Sequence, residues 1–438
     1  DTASVSKLYV QDGVDLMHPK YHDLSSVGTG YDNPQGYRFV EFPIYNAFHA
    51  TAYKLYPEFS LEKWGRLLSI LFSTISAFFI FLIGRRFLGR NGGLLSSLFF
   101  AVLPFNIYFS RVILPEPMAV AAVVSSLWFF IRFVDGHKWE LLISSLLFAL
   151  ALLLKPYTVF YLVPMGYLAF AKFGFKKIFG RMELWLFLLS FVPLLLWRGY
   201  MNAMNFLPGI PFWKWAFNGD DIRGKPSFFW WIFEERLGKL ILGTWATAPF
   251  IFGFLTKIKD EYRLFLPAMF AGQVTYWVTV ATANVRHDYY QTLSVPAISI
   301  ILAGGVLTLW RTNLGEASIR RLVVIGSVVL GLGFSFYQVK EYYKINHPEI
   351  ILAGAAVDRL TPQDAKIIAP YNGDTAFLYQ TGRSGWPFIT LPIDQMISRL
   401  GAEYYVSVNF DKQTNEIMEK YKVIEKRNEY VVVDLLNK

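Results

Sequence analysis

Charged side chains stand beside long apolar runs at five places in this chain. They are Asp1 in "DTA", Glu41 in "RFVEFPIYN", Arg111 and Glu116 in "FSRVILPEPM", Lys155 in "LLLKPY", and Arg286, His287 and Asp288 in "NVRHDYYQ". Ionisable groups next to hydrocarbon are costly, so each is a functional candidate. Carboxylates can take a proton as a general base or hold a hard cation. Lys and Arg match phosphate, Arg through a bidentate fork. A site that combines the two beside lipid suits a lipid-phosphate substrate.

The elements that must position these residues are membrane helices. Of 438 residues 54% are apolar, 18% aromatic and only 17% charged, outside the range of a soluble domain. Runs long enough to cross the hydrocarbon are expected at 64–84, 93–110, 117–134, 139–154, 156–171, 183–200, 239–256, 264–282, 293–310 and 322–338, about ten spans. Alternate loops then place Arg85, Arg86, Arg90, Lys138, Lys172, Lys176, Lys177, Arg181, Lys257, Lys259, Arg263, Arg311, Arg320 and Arg321 on one side, cytoplasmic by the positive-inside rule. The net charge of +9 is therefore topogenic, and nucleic acid is not an expected partner. With no cysteine, thiolate chemistry is excluded.

On this topology all five charged places face the opposite, external side. So do residues 1–63, the loop 201–238 and the tail. An external start with nothing to carry it across leads to the expectation of one more helix upstream of Asp1. The expected domains are a first external loop at 1–63, a helical bundle at 64–339 and a soluble external α/β domain at 340–438. In that tail "AKIIAPYN", "AEYYVSVNF" and "NEYVVVDLL" read as strands, "LPIDQMISRLG" and "DKQTNEIMEKY" as helices. It carries no phosphate loop and reads as a cap or acceptor-binding module.

Each candidate also has a plainer reading. Asp1 can N-cap an amphipathic helix, Lys155 can snorkel, Glu116 can cap the next span, and Arg111 can pair with Glu116. "RHDYY" can be an interfacial aromatic belt, with Tyr289 and Tyr290 as pocket residues in the functional reading. His18 and His22 have ligand-like spacing but are read as loop residues, and Asp220 and Asp221 as a solvated turn. The Gly-rich "GTGYDNPQGYRF" reads as a mobile acceptor loop.

Taken in order, Asp1-Thr2-Ala3 opening a helix, "QDGVDLMHP", Glu41-Phe42-Pro43, "GRLLSILFS", "FNIYFSRVILPEP", "LLKP" and "RHDYY" resemble the GT-C-fold glycosyltransferases related to protein O-mannosyltransferases and lipid A aminoarabinose transferases. The resemblance covers about residues 1–340. It implies a polytopic enzyme in the plasma or inner membrane of a prokaryote, moving a sugar from a polyprenyl-phosphate donor to a lipid, protein or glycan on the external face. It also implies that Asp1 is the first-loop acid. Asp1 would then take the acceptor's proton while the acceptor attacks the anomeric carbon, inverting it, and Lys155, Arg286 and Arg111 would meet the departing polyprenyl phosphate. Glu41, Glu116 and His287 are the candidates for a divalent cation, whose use is left open; no nucleotide cofactor is expected. One departure stands out: Phe42 follows Glu41 where the aminoarabinose branch has a phosphate-contacting Lys. A neutral hexose or pentose donor is the better expectation. A lipid-linked-sugar transporter or flippase, or a catalytically inactive lipid-binding relative, remains as the alternative, although no internal repeat of the transporter kind is visible.

Overall fold

The computed structural model describes residues 1–25, 33–204, 209–258, 260–313 and 315–437. Residues 28–32 of the Gly-rich segment, and Lys259, lie outside the described residues. The chain divides into two compact units. One comprises Asp1–Glu62, Met204–Phe212 and Ile345–Lys438; the other comprises Lys63–Ala203 and Trp213–Lys344.

The second unit is helical. Its first long helix, Leu61–Val102, is broken at Gly89, whose φ of 81° suits glycine alone. The two halves fold back on each other closely enough that a Cβ on Gly93 would come within 2.6 Å of the Phe81 carbonyl oxygen. Leu103 precedes a proline and turns extended, so a new helix starts at Pro104. The helix Glu116–Val134 is buried on nearly every face, as an all-round apolar helix must be. It packs against Glu140–Leu154 through a seam in which Ser126 and Ser144 each donate to the other's carbonyl oxygen at 2.8 Å.

Proline and turn chemistry interrupt several of the expected spans. Lys155, extended at φ −149° before Pro156, ends Glu140–Leu154, and a 3-10 turn Pro156–Tyr161 leads into Leu162–Phe173. Residues 239–256 form the end of a π-helix, Trp230–Ile241, then a turn and the short helix Thr247–Phe252. Each of the ten expected segments contains helix, and five helices are long and apolar enough to cross a membrane among the described residues. They are Leu61–Val102, Glu116–Val134, Met182–Ala203, Asp288–Arg311 and Ala317–Leu360. The protein is thus an integral membrane protein by the length and composition of its helices.

The first unit is built on a five-stranded sheet. The strands are β1 (Ile367–Ile368), β2 (Gly385–Trp386), β3 (Tyr404–Ser407), β4 (Lys422–Lys426) and β5 (Val431–Asp434), in spatial order β2-β1-β3-β5-β4. β1 pairs in parallel with β2 and β3, whereas β5 runs antiparallel between β3 and β4. The expected strands coincide with β1, β3 and β5, and the expected helices with the helical segments at 393–400 and 412–420. Beyond β2 the opening segment continues the sheet. Leu24 N–H donates to the Gly385 carbonyl at 2.7 Å, and Gly385 N–H donates to that of His22 at 2.9 Å. The opening helix Thr2–Asp12 packs on Ile44–Leu55 around Val5, Tyr9 and Ala50. First loop and tail therefore form one folded body.

Candidate active site

In the first unit Asp1 stands at the N-terminus of its helix but makes no capping hydrogen bond through its side chain. The carboxylate turns elsewhere: Arg38 Nη2 donates to its Oδ2 at 3.1 Å, and Thr375 Oγ1 donates to its Oδ1 at 2.7 Å. The plainer capping reading of Asp1 is thereby replaced by a carboxylate held between an Arg of the first loop and a Thr of the tail. Neither partner was singled out from sequence. Glu41 sits at the turn before Ile44–Leu55, half-buried.

Behind Asp1, one turn along the same helix, Ser4 Oγ is hydrogen-bonded to His22 Nδ1 and accepts from the His22 backbone N–H at 2.9 Å. His22 is only 1% exposed. Burial first, and the Lys7 ammonium second, push its imidazole down to about 3, so it is neutral at ordinary pH. His18 is exposed and paired with Asp15 at 2.9 Å. Reading both histidines as loop residues held for His18 and missed the structural role of His22.

In the second unit the central feature is an ion pair. Lys155 Nζ lies 2.8 Å from Glu116 Oε1, with side chains 9% and 3% exposed. Lys155 is positioned by the extended residue that ends one helix, Glu116 by the first turn of another. The snorkelling reading of Lys155 does not describe this arrangement: its ammonium points inward onto Glu116. The Lys155 ammonium also lies 5.9 Å from the Tyr290 ring centre. Tyr290 is part of an aromatic cluster in which Tyr157, His287 and Tyr289 have ring centres 5.7, 6.1 and 4.8 Å from it. Tyr290 is buried, while Arg286 and His287 at the start of "RHDYY" are exposed.

The other cations divide by partner. Arg286, 62% exposed, is tied at 2.6 Å to Asp220, which lies in the expected turn and is partly exposed. Asp288 binds Arg236 and accepts from the Tyr342 hydroxyl. Arg111 lies over the Tyr343 ring at 4.5 Å and, among the described residues, has no carboxylate partner. Tyr342 stacks near Tyr108, 5.1 Å between centres, and Tyr108 lies 5.8 Å from the Arg111 guanidinium. Within this unit, then, two groups are gathered: Lys155, Glu116, His287, Tyr289 and Tyr290 in one, Asp288 and Arg111 in the other through Tyr342 and Tyr108.

Two of the proposed cation ligands lie in the helical unit and have other neighbours there. Glu116 is engaged by Lys155, and His287 packs among Tyr289, Tyr290 and Trp215. No three His, Asp or Glu side chains are grouped to hold a metal among the described residues.

Comparison with known proteins agrees on the fold. Residues 43–197 match the family described as dolichyl-phosphate-mannose-protein mannosyltransferase. By sequence the chain matches no curated protein. The structure is similar to that of ArnT from Cupriavidus metallidurans bound to undecaprenyl phosphate, at 13% identity and a TM-score of 0.67, over 99% of this chain and 92% of that one. It is also similar to the Archaeoglobus fulgidus oligosaccharyltransferase. A complex of that protein with zinc and sulfate gives 13% identity and a TM-score of 0.54, over 93% of this chain and 63% of that one. Its complex with an inhibitory peptide and a dolichol-phosphate gives 10% and 0.59, over 93% and 64%. The chain thus has the GT-C fold of ArnT and the archaeal oligosaccharyltransferase, and carries within it a segment that matches the dolichyl-phosphate-mannose-protein mannosyltransferase family.

Proposed function

We propose that this protein is a membrane glycosyltransferase that moves a sugar from a polyprenyl-phosphate donor to a lipid, protein or glycan acceptor on the external face. The observation that carries this reading is the buried Lys155–Glu116 pair inside the segment matched to the mannosyltransferase family. A cation held in a desolvated, aromatic-lined position is suited to meet charge that develops on a phosphate oxygen. The lipid phosphates bound by the structural neighbours, undecaprenyl phosphate and dolichol-phosphate, supply the ligand class.

In this mechanism the acceptor's oxygen or nitrogen attacks the anomeric carbon as the bond to the phosphate oxygen breaks, inverting the configuration. Asp1 takes the acceptor's proton, and polyprenyl phosphate leaves. Arg38 and Thr375 hold the Asp1 carboxylate, and a carboxylate fixed in orientation is suited to act as a general base. Lys155 faces the leaving phosphate, with Arg111, which has no carboxylate of its own, as the second cation. Arg286 is far more exposed than Lys155, so its charge is better screened by water, which makes it the weaker of the three. Phe42, in place of a phosphate-binding Lys, favours a neutral hexose or pentose over aminoarabinose.

The test is sugar release by purified protein in lipid from a panel of radiolabelled polyprenyl-phosphate monosaccharides. Turnover of one donor, lost in Lys155→Met, supports the reading. Donors that bind and stay intact with every acceptor class offered point to the inactive relative instead.

A further inference from the structure

Two cavities meet at the basic end of the helical unit. The first, of about 570 Å3, is apolar and runs between three helices, lined by Leu94, Leu98, Leu307, Trp310, Ile325 and Val328 among others. The second, of about 500 Å3, is lined by Thr256, Lys257, Thr308, Arg311, Thr312 and Asn313 with a few apolar side chains. They share Leu307 and Arg311, so an apolar trough continues into a polar, cationic basin. Among the described residues neither Lys257 nor Arg311 has a carboxylate partner, whereas Arg86, next in sequence to Phe87 of the basin, is tied to Asp135. The Trp310 indole, 5.2 Å from the Arg321 guanidinium, marks an aromatic and basic interface level of the kind found at headgroup depth.

We propose that this composite trough binds an anionic diacyl phospholipid of the cytoplasmic leaflet. The acyl chains lie along Leu94, Leu98 and Val328, and the phosphate sits between Lys257 and Arg311 with Thr312 and Asn313 as neutral donors. Charge complementarity selects the lipid. A zwitterionic headgroup brings its own cation to a basin that already holds two, while an anionic one leaves its charge for them. Shape supports the same choice, because a free phosphate would use the basin and leave the apolar trough without a role. The packing that builds the floor is specific. Thr308 Oγ1 donates to Thr256 Oγ1 at 3.1 Å, and a Cβ on Gly304 would come within 2.7 Å of that same Thr256 oxygen. The sequence puts Lys257 and Arg311 in separate loops, and only this helix contact brings them to one basin.

Purified protein in detergent would be titrated with dioleoyl phosphatidylglycerol, dioleoyl phosphatidylcholine or inorganic phosphate, with retained lipid counted by native mass spectrometry and thermal stability followed in parallel. The expected result is one retained phosphatidylglycerol that raises the unfolding midpoint, with phosphatidylcholine roughly tenfold weaker or more and phosphate without effect. Lys257→Gln combined with Arg311→Gln should abolish the preference, Val328→Trp should weaken lipid retention by filling the trough, and Lys176→Gln with Lys177→Gln should change neither. Equal retention of the two lipids, an equal shift from phosphate alone, or a preference that survives the Lys257/Arg311 variant would overturn the proposal.

Discussion

Lys155 and Glu116 form an ion pair at 2.8 Å with both side chains almost fully buried, the first ending one helix before a proline and the second beginning another before a proline. Thirty-nine positions separate them in sequence, and nothing in either local pattern announces the pairing. Removing one member leaves a buried charge with its partner gone. Lys155→Met should therefore destabilise the helical unit by about 3–5 kcal/mol and abolish transfer. Lys155→Met with Glu116→Gln should recover most of the stability and none of the activity. Unfolding midpoints in lipid beside transfer assays separate the two effects.

Thr375 reaches Asp1 from the tail, and Arg38 reaches it from the first loop. Thr375→Val keeps the volume and removes the hydroxyl that orients the carboxylate. The expected outcome is a drop in kcat of roughly tenfold with KM nearly unchanged and stability within about 1 kcal/mol of wild type, the scale of one net hydrogen bond. A change confined to KM would place Thr375 in acceptor binding.

His22 is neutral in the folded protein because burial holds its imidazole near 3, against about 6.5 for a free imidazole. The unfolded chain takes up a proton below about pH 6.5 and the folded chain does not. Stability from this residue is thus fully present above that pH and falls as pH drops toward 3, by up to about 1.4 kcal/mol per unit. His22→Gln should flatten that slope between pH 6 and 4. Denaturation midpoints measured across that range for both proteins test it, and parallel slopes would contradict it.

At Gly385 a Cβ would lie 1.7 Å from the Ile367 carbonyl oxygen, in the strand that also pairs with Leu24 and His22. Gly385→Ala should cost more than about 2 kcal/mol and raise proteolytic cleavage within residues 1–62, because the opening segment loses its sheet partner. Limited proteolysis with peptide mapping gives the answer.

The helices were legible because apolar runs and prolines punctuate them, as Lys155-Pro156 and Leu103-Pro104 do. Their interruptions were less so: 3-10 and π turns such as Trp230–Ile241 share nearly the same apolar composition as regular helix. In the tail, β1, β3 and β5 stood out as β-branched or aromatic runs. β2, two residues long, and β4, rich in Lys and Glu and largely exposed, carry no such signal. Charged candidates could be named one by one, since a charge beside an apolar run is visible in sequence. Their partners could not: Arg38 with Asp1, Asp220 with Arg286, and Arg236 with Asp288 depend on contacts between distant elements. A histidine such as His22 looks like any loop histidine until burial and Ser4 define it.

The most direct test compares sugar release from one polyprenyl-phosphate donor by wild-type protein and Asp1→Asn, with donor binding measured on the same preparations. The mechanism predicts unchanged binding and turnover reduced by about 10² to 10⁴, the usual worth of a general base. Turnover retained in Asp1→Asn at the wild-type rate would contradict it.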